Sequence, residues 1–244
     1  MAFSKIEMQD ELSEFMQRFA LSIERLYGSN KTEPLTNTQL IAKSNLWNAL
    51  NDMYDYGVLG IPVSGLGDDP SIDGTYADAE VFLNCIATNA MEPYFYEDDV
   101  IYPRLSIKTV RMAVARVVLE GGDRYTDYGA GEYGLGNGDW GHLTQSEVAL
   151  LADMDERSVR NAANPKANDP LLTVNIGKRS LVTPQEAKRW LSGRKGFIPT
   201  HQGNYVRTQI TNQVIELPSE LVERLKLKAK QAEVSIAELI KNVI

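Results

Sequence analysis

Residues 143–164, LTQSEVALLADMDERSVRNAAN, contain the local signals on which the predicted fold rests. Thr144 and Glu147 have the spacing of a capping box. In this motif the Thr hydroxyl accepts a hydrogen bond from the backbone N–H three residues on, and the Glu carboxylate accepts one from the Thr N–H. Apolar residues follow at helical spacing, and Asp153 tolerates the left-handed backbone of a tight turn. We therefore predict a short helix that begins after Thr144 and ends near Asp153.

A second short helix is predicted from Glu156 to about Asn164, because Asp155 is a favourable N-cap residue. Val159 and Ala162 would face inward. The polar residues of this helix would then face outward, and they are Arg157, Ser158, Arg160 and Asn161. Two short helices joined by a tight turn, with Arg and Asn exposed on the second, are typical of a helix-turn-helix.

A β-hairpin and a third helix are predicted next. Leu171–Ile176 has the composition of a strand, Gly177-Lys178 that of a turn, and Arg179–Val182 that of a return strand. Thr183-Pro184-Gln185-Glu186 then has the spacing of a second capping box, with Pro at the first helical position, where its missing N–H costs nothing. We expect this helix to continue through Trp190 and Leu191.

The order helix, turn, helix, basic hairpin, helix resembles the winged helix-turn-helix of excisionase and MerR-type DNA-binding proteins. The resemblance covers about fifty of the 244 residues. One departure is Asp153, at a turn position where the family usually carries Gly. The resemblance implies that the second helix reads bases, by Arg to guanine and Asn to adenine, while the hairpin crosses the DNA backbone or minor groove. The implied DNA-contacting residues are Arg157, Ser158, Arg160, Asn161, Lys178, Arg179, Lys188, Arg189, Arg194 and Lys195.

The charge distribution agrees with this placement. The chain carries a net charge of −8, but residues 1–140 hold 10 Lys and Arg against 22 Asp and Glu, whereas residues 141–244 hold 15 against 11. Between Arg157 and Arg207 there are ten basic residues, and the acidic ones are Asp169 and Glu186. Because phosphate contacts supply most non-specific DNA affinity, the local excess indicates where DNA would bind.

The rest of the composition limits the other function classes. A single cysteine, Cys85, excludes an internal disulfide, and with two histidines it argues against a zinc site. No apolar run is long enough for a membrane span, and we expect no secretory signal because the first residues do not form an apolar h-region. We therefore expect a cytoplasmic, nucleoid-associated protein that is not an enzyme, has no cofactor and no metal, and does not bind membrane.

The first 122 residues predict an acidic helical domain, with helices over about 4–27, 36–56, 76–90 and 106–120. Its acidic loops could hold a metal or act in acid–base chemistry, but solvated charge is the simpler interpretation. Gly129-Ala130-Gly131-Glu132-Tyr133-Gly134 fits the pattern GxGxxG but lacks the preceding strand and following helix of a dinucleotide site. We interpret residues 123–141 as a Gly-rich linker.

The last 36 residues predict a strand followed by two helices, which resembles the ribbon-helix-helix of the Arc and CopG class. So short a segment cannot bury enough surface alone, so the resemblance implies an obligate homodimer. In that class the exposed strand residues contact bases. Two of the corresponding positions here are Val214, which has no hydrogen-bond donor, and Glu216, whose charge is repelled by phosphate, so both are poorly suited to base contacts. We therefore favour dimerisation, with a second DNA contact as the lesser alternative, and retain Asn212 and Ser235 as candidate DNA-contacting residues.

Together these patterns predict a mainly α, multi-domain chain. Its parts are an acidic helical domain (1–122), a linker (123–141), a winged helix-turn-helix (142–198), a linker (199–208) and a dimerisation segment (209–244). The predicted function is a dimeric transcriptional regulator that binds double-stranded DNA, with a protein partner or an effector acting on the N-terminal domain. The alternatives are an excisionase-like recombination or DNA-architecture accessory protein, and an assembly protein that does not bind DNA.

Overall fold

The computed structural model describes residues 3–27, 37–63, 66, 74–87, 102–122 and 141–201. The chain divides into two compact units, Met1–Tyr205 and Val206–Ile244, and every described residue belongs to the first. The described part is mostly helical and contains a small three-stranded antiparallel sheet. The predicted fold class is confirmed at this level. The C-terminal strand and helices, with Asn212 and Ser235, lie outside the described residues.

Among the described residues, five helices precede the sheet. They are α1 (Lys5–Tyr27), α2 (Thr38–Ile41), α3 (Asn45–Gly57), α4 (Gly74–Ala87) and α5 (Arg104–Leu119). The single helix predicted over about 36–56 is wrong, because the chain breaks it between α2 and α3. Ser44 has an extended backbone there, and its side chain accepts a hydrogen bond from the backbone N–H of Trp47 at 3.2 Å. A new N-cap therefore starts α3.

Helix α5 is shared by two hydrophobic cores. Val110, Ala113 and Val117 belong to the core that α5 forms with the other N-terminal helices, whereas Val118 and Leu119 belong to the core of the C-terminal elements. The first core is tight where α3 crosses α5, since a Cβ added to Gly57 would lie 2.5 Å from the backbone N of Ala113. Both halves of the described chain therefore pack on one helix.

The first turn of α5 is capped from a distant helix. Its own N-cap position, Pro103, makes no side-chain hydrogen bond. Instead, Oε1 of Glu11 on α1 accepts hydrogen bonds from the backbone N–H groups of Leu105 at 2.7 Å and Ser106 at 3.2 Å. Burial raises the pKa of Glu11 although these bonds act against it. The contact fixes where α5 begins relative to α1.

The C-terminal elements follow one another closely. They are β1 (Leu143–Thr144), α6 (Gln145–Ala152), α7 (Glu156–Ala162), β2 (Val174–Ile176), β3 (Arg179–Val182) and α8 (Pro184–Leu191). The strand order in the sheet is β1-β3-β2, with Leu143 opposite Val182 and Val174 opposite Leu181. Strand β1 was not predicted, because it has only two residues, the second of which is the N-cap Thr144, and they carry no strand pattern of their own.

The local signals in residues 143–164 are confirmed. Thr144 Oγ1 accepts from the Glu147 N–H at 3.2 Å, and Glu147 Oε2 accepts from the Thr144 N–H at 2.8 Å, so the capping box is complete. Asp153 has the left-handed φ of 51° that the turn requires. Asp155 caps α7, as predicted. The helix, turn, helix segment is therefore formed from these local signals.

The second predicted capping box is only half present among the described contacts. Thr183 Oγ1 accepts from the Glu186 N–H at 3.3 Å, as expected. The Glu186 carboxylate, however, accepts from the backbone N–H of Leu172 at 2.9 Å and pairs with Arg189. Since Leu172 adjoins β2, Glu186 ties the start of the hairpin to α8 instead of closing its own helix.

Candidate nucleic-acid interface

Helix α7 begins on a cap that uses one of the predicted DNA-contacting residues. Asp155 Oδ1 accepts from the backbone N–H of Ser158 at 2.9 Å, and Oδ2 accepts from its hydroxyl at 2.6 Å. The Ser158 side-chain hydrogen bond lowers the pKa of Asp155. Asp155 is therefore charged at neutral pH, and the Ser158 hydroxyl is engaged in holding the helix start.

The other three residues predicted on α7 are exposed but differ in their partners. Arg160 forms an ion pair with Glu156 one turn earlier. Within the described part of the chain, the side chains of Arg157 and Asn161 make no hydrogen bond or ion pair. Arg157 and Asn161 are thus the α7 side chains that are available to a ligand without breaking an internal contact.

The tip of the hairpin carries two further available cations. Gly177 has a φ of 59°, the positive value that a two-residue hairpin turn needs at its first central position. Lys178 is exposed and Arg179 is half-buried, and neither side chain has a carboxylate partner among the described residues. Leu171, just before the hairpin, donates its N–H to Ala162 O at 2.8 Å, which places the hairpin directly after the end of α7.

Asp169 pairs with two arginines, one on α8 and one just after it. Asp169 accepts from Arg189 at 2.8 Å and from Arg194 at 2.5 Å. The guanidinium of Arg194 also lies over the ring of Trp190, 3.8 Å from its centroid. The hydrogen bond from Arg189 holds the pKa of Asp169 below its ordinary value, and the hydrogen bonds to Glu186 and Asp169 raise the pKa of Arg189. These two arginines therefore join α8 and the residues after it to Asp169, in the segment that precedes the hairpin.

Lys188 is also engaged, in a network that reaches α5. Its ammonium lies 2.8 Å from Glu120 Oε2, while Glu120 Oε1 accepts from the Thr200 hydroxyl at 2.7 Å. Burial would raise the pKa of Glu120, but the hydrogen bonds from Lys188 and Thr200, together with the charges of Lys188 and Arg116, lower it further than burial raises it. Lys195, in contrast, is exposed and has no partner among the described residues.

Residues 194–201, here termed the C-terminal strap, run back across α5 to the end of α3. Arg116 on α5 is 1% exposed, and its guanidinium donates to Gly57 O, Ile198 O and the Thr200 hydroxyl at 2.9–3.2 Å. His201 donates its N–H to Gly60 O at 2.8 Å. Burial lowers the pKa of Arg116. The strap is therefore held by a buried cation that the sequence did not distinguish from surface arginines.

Two features of this surface escaped the sequence prediction. Lys166, in the loop after α7, is exposed and without a side-chain partner in the described part of the chain. Its position within the basic stretch was a usable signal. The second feature is acidic: Asp153, Asp155 and Glu156 lie together before and at the start of α7, and the first two are exposed. These carboxylates repel phosphate at that end of the helix.

Comparisons with protein family models, with curated proteins and with solved structures found no match to this chain. Among the described residues, no group of three or more His, Cys, Asp and Glu side chains could hold a metal ion. In the same residues, no helix combines the length and the apolar composition needed to cross a bilayer.

Proposed function

We propose that this chain is a dimeric, sequence-specific DNA-binding protein, and that it acts as a transcriptional regulator through a winged helix-turn-helix. The order of α6, turn, α7, hairpin and α8 supports the proposal. Helix α7 would enter the major groove, where its exposed Arg157 and Asn161 are suited to guanine and adenine. The dimer would form through the C-terminal segment, and the N-terminal helices would receive a protein partner or an effector.

One observation carries this proposal: α7 and the hairpin each carry a cation that makes no internal ion pair among the described residues. Arg157, Lys178 and Arg179 have no internal carboxylate partner among the described residues, whereas Arg160, Lys188, Arg189 and Arg194 do. A cation that is already paired gains little from a phosphate, because it must give up one carboxylate to reach another. DNA contact is therefore assigned to the unpaired set, which Lys166 and Lys195 complete.

The size of this set fixes the expected salt dependence. If all five cations contact phosphates, the slope of log affinity against log salt is about −4.5 for each chain, which weakens binding roughly 500-fold between 50 and 200 mM salt. Fluorescence anisotropy of the full chain with random and selected duplexes at these two salt concentrations measures both numbers. No binding to any duplex at 50 mM salt would refute the proposal.

Matched variants assign the contact to residues. Arg157→Gln combined with Lys178→Gln should reduce the salt slope by about two and weaken binding to every duplex. Arg189→Gln removes one charge from the internally paired set and should leave the slope unchanged. Lys43→Gln removes an exposed charge before α3 and serves as the control outside the module. Equal effects per charge removed, in all three variants, would indicate non-specific attraction instead.

A second candidate function is favoured by the acidic start of α7. Three carboxylates at that position, with four basic residues already paired internally, suit a helix-turn-helix that binds a protein surface and assembles subunits without DNA. Salt-sensitive duplex binding distinguishes the two functions. Sequencing the selected duplexes then separates a regulator from an excisionase-like accessory protein, because the former should select promoter sites and the latter recombination sites.

A further inference from the structure

Strand β2 leaves an apolar edge on the sheet. The order β1-β3-β2 places it at the edge among the described strands. Leu172, just before the strand, is 61% exposed and Val174 is 38% exposed, and both are among the few large apolar side chains of the described residues that are exposed. Natural edge strands are usually protected by charged residues or Pro, but residues 171–177 contain neither.

The backbone of this edge has hydrogen-bonding groups that point outward. Ile176 and Arg179 flank the two-residue turn and are opposite each other, as are Asn175 and Ser180. In a two-residue hairpin the pair next to the turn is hydrogen-bonded, and the next pair is not. The N–H and C=O of Asn175 therefore point away from β3. By the same alternation, so do those of Thr173.

From this edge we infer that β2 pairs with β2 of a second copy of the chain, antiparallel and centred on Val174. The run Leu-Thr-Val-Asn-Ile, residues 172–176, is nearly symmetric in polarity about Val174. Pairing centred on Val174 places Val174 opposite Val174 of the second copy and Leu172 opposite Ile176 of the second copy. On the other face of the strand, Thr173 lies opposite Asn175 of the second copy. Like side chains meet, as an isologous contact requires.

The outward backbone groups of β2 and of Thr173 suit this register. With Val174 at the centre, the outward N–H and C=O groups of Thr173 in one chain face those of Asn175 in the other, and the pairing ends at Gly177, where each chain turns into β3. If the register shifted by one residue, the outward N–H groups would have no hydrogen-bond partners on the second strand, and apolar side chains would lie opposite polar ones. A second copy is therefore the occupant that this edge fits.

The contact is small. Two five-residue segments, residues 172–176 of each chain, bury less than the roughly 1,200 Å² of a stable protein interface. We expect it to form between chains already held together, and the proposed C-terminal dimer would hold them. It requires no DNA, so its success or failure is independent of the proposed DNA contact.

Disulfide trapping in the full chain tests the register. In a Cys85→Ser background, Val174→Cys would place two thiols across a non-hydrogen-bonded pair, where the Cα atoms are about 4.5 Å apart and a disulfide can form. Mild oxidation with oxidised glutathione should give a covalent species of twice the 27.2 kDa chain mass. Ser180→Cys, exposed on the neighbouring strand of the same hairpin, is the matched control and should remain single.

A mixed experiment checks the centring. Leu172→Cys and Ile176→Cys chains, one of them carrying a mass tag, should form the mixed dimer in preference to either self-dimer. Circular dichroism of each variant verifies that the fold is retained. Failure of Val174→Cys to cross-link in a folded chain, cross-linking of Ser180→Cys to the same extent, or preferred self-dimers in the mixture would each overturn the inference.

Discussion

Replacing Arg116 by methionine tests whether a buried guanidinium holds the C-terminal strap. Arg116 donates to Gly57 O through Nε and Nη2, to Ile198 O through Nη2, and to Thr200 Oγ1 through Nη1. Gly57 is the last residue of α3, so its carbonyl has no partner within the helix, and a cation there is also favoured by the helix dipole. Methionine has a comparable length but can donate to none of these oxygens.

The expected loss follows from counting these acceptors. Gly57 O and Ile198 O would each lose a donor, at about 1–3 kcal/mol for each buried unsatisfied group. Thr200 would keep its bond to Glu120. Removing a buried charge acts in the opposite direction, and comparable replacements by apolar side chains recover about 1–4 kcal/mol. The difference predicts that Arg116→Met lowers the free energy of unfolding by about 2 kcal/mol.

Urea unfolding followed by tryptophan fluorescence measures this loss, because Trp190 is buried in the core that α5 shares. Arg104→Met, an exposed position on the same helix, is the control and should change stability by less than about 0.5 kcal/mol. Limited trypsin digestion gives an independent readout, since a released strap should be cut faster after Lys195. If Arg116→Met matches the wild type in both assays, the guanidinium does not hold the strap.

Three further predictions use other contacts. Gly196→Ala should lower the free energy of unfolding by about 1–3 kcal/mol, because the added Cβ would lie 2.3 Å from Ala152 O. Gly193→Ala is the control and should be tolerated, since its Cβ would lie 3.7 Å from the nearest atom. Thermal unfolding compares the two variants. Thr144→Ala should cost about 1–2 kcal/mol in urea unfolding, with Thr144→Ser within about 0.5 kcal/mol of the wild type, and equal losses would contradict the capping role. The pKa of Asp169 is held below 3.8, so its contribution to folding stability is present above that pH and is lost as the pH falls through the lowered pKa. Asp169→Asn should therefore be less stable than the wild type at pH 7, and urea unfolding in acid should show no difference between the two.

Much of the fold was predictable because its signals are local. The capping box at Thr144, the Asp153 turn, the Asp155 cap and the Gly177 turn each depend on residues within four positions of one another, and all four are present. The break before α3 was missed although Ser44 is a good N-cap, because the apolar pattern continues across it.

Tertiary contacts account for what could not be predicted. Nothing near Arg116 in the sequence distinguishes it from an exposed arginine, since its partners are 59 to 84 residues away. For the same reason, the sequence could not divide the basic residues into paired and unpaired sets. Asp169 lies 20 and 25 residues before the arginines that it neutralises. The composition predicted a basic module, but only the ion-pair distances in the structure show which of its basic side chains have no internal carboxylate partner among the described residues.

Because α5 contributes to both hydrophobic cores, the point at which the chain is truncated decides whether a fragment folds. Val118 and Leu119 complete the core of the C-terminal elements from the far side of residues 123–140, so a fragment that starts at residue 141 lacks part of its own interior. Such a fragment would expose apolar surface and aggregate or melt early, while one that starts before Arg104 retains the helix. In the intact chain, amide protons of α5 should exchange with solvent only when both cores open together. The helix thereby makes the acidic and basic halves one cooperative unit, in which a ligand on either side alters the stability of the other.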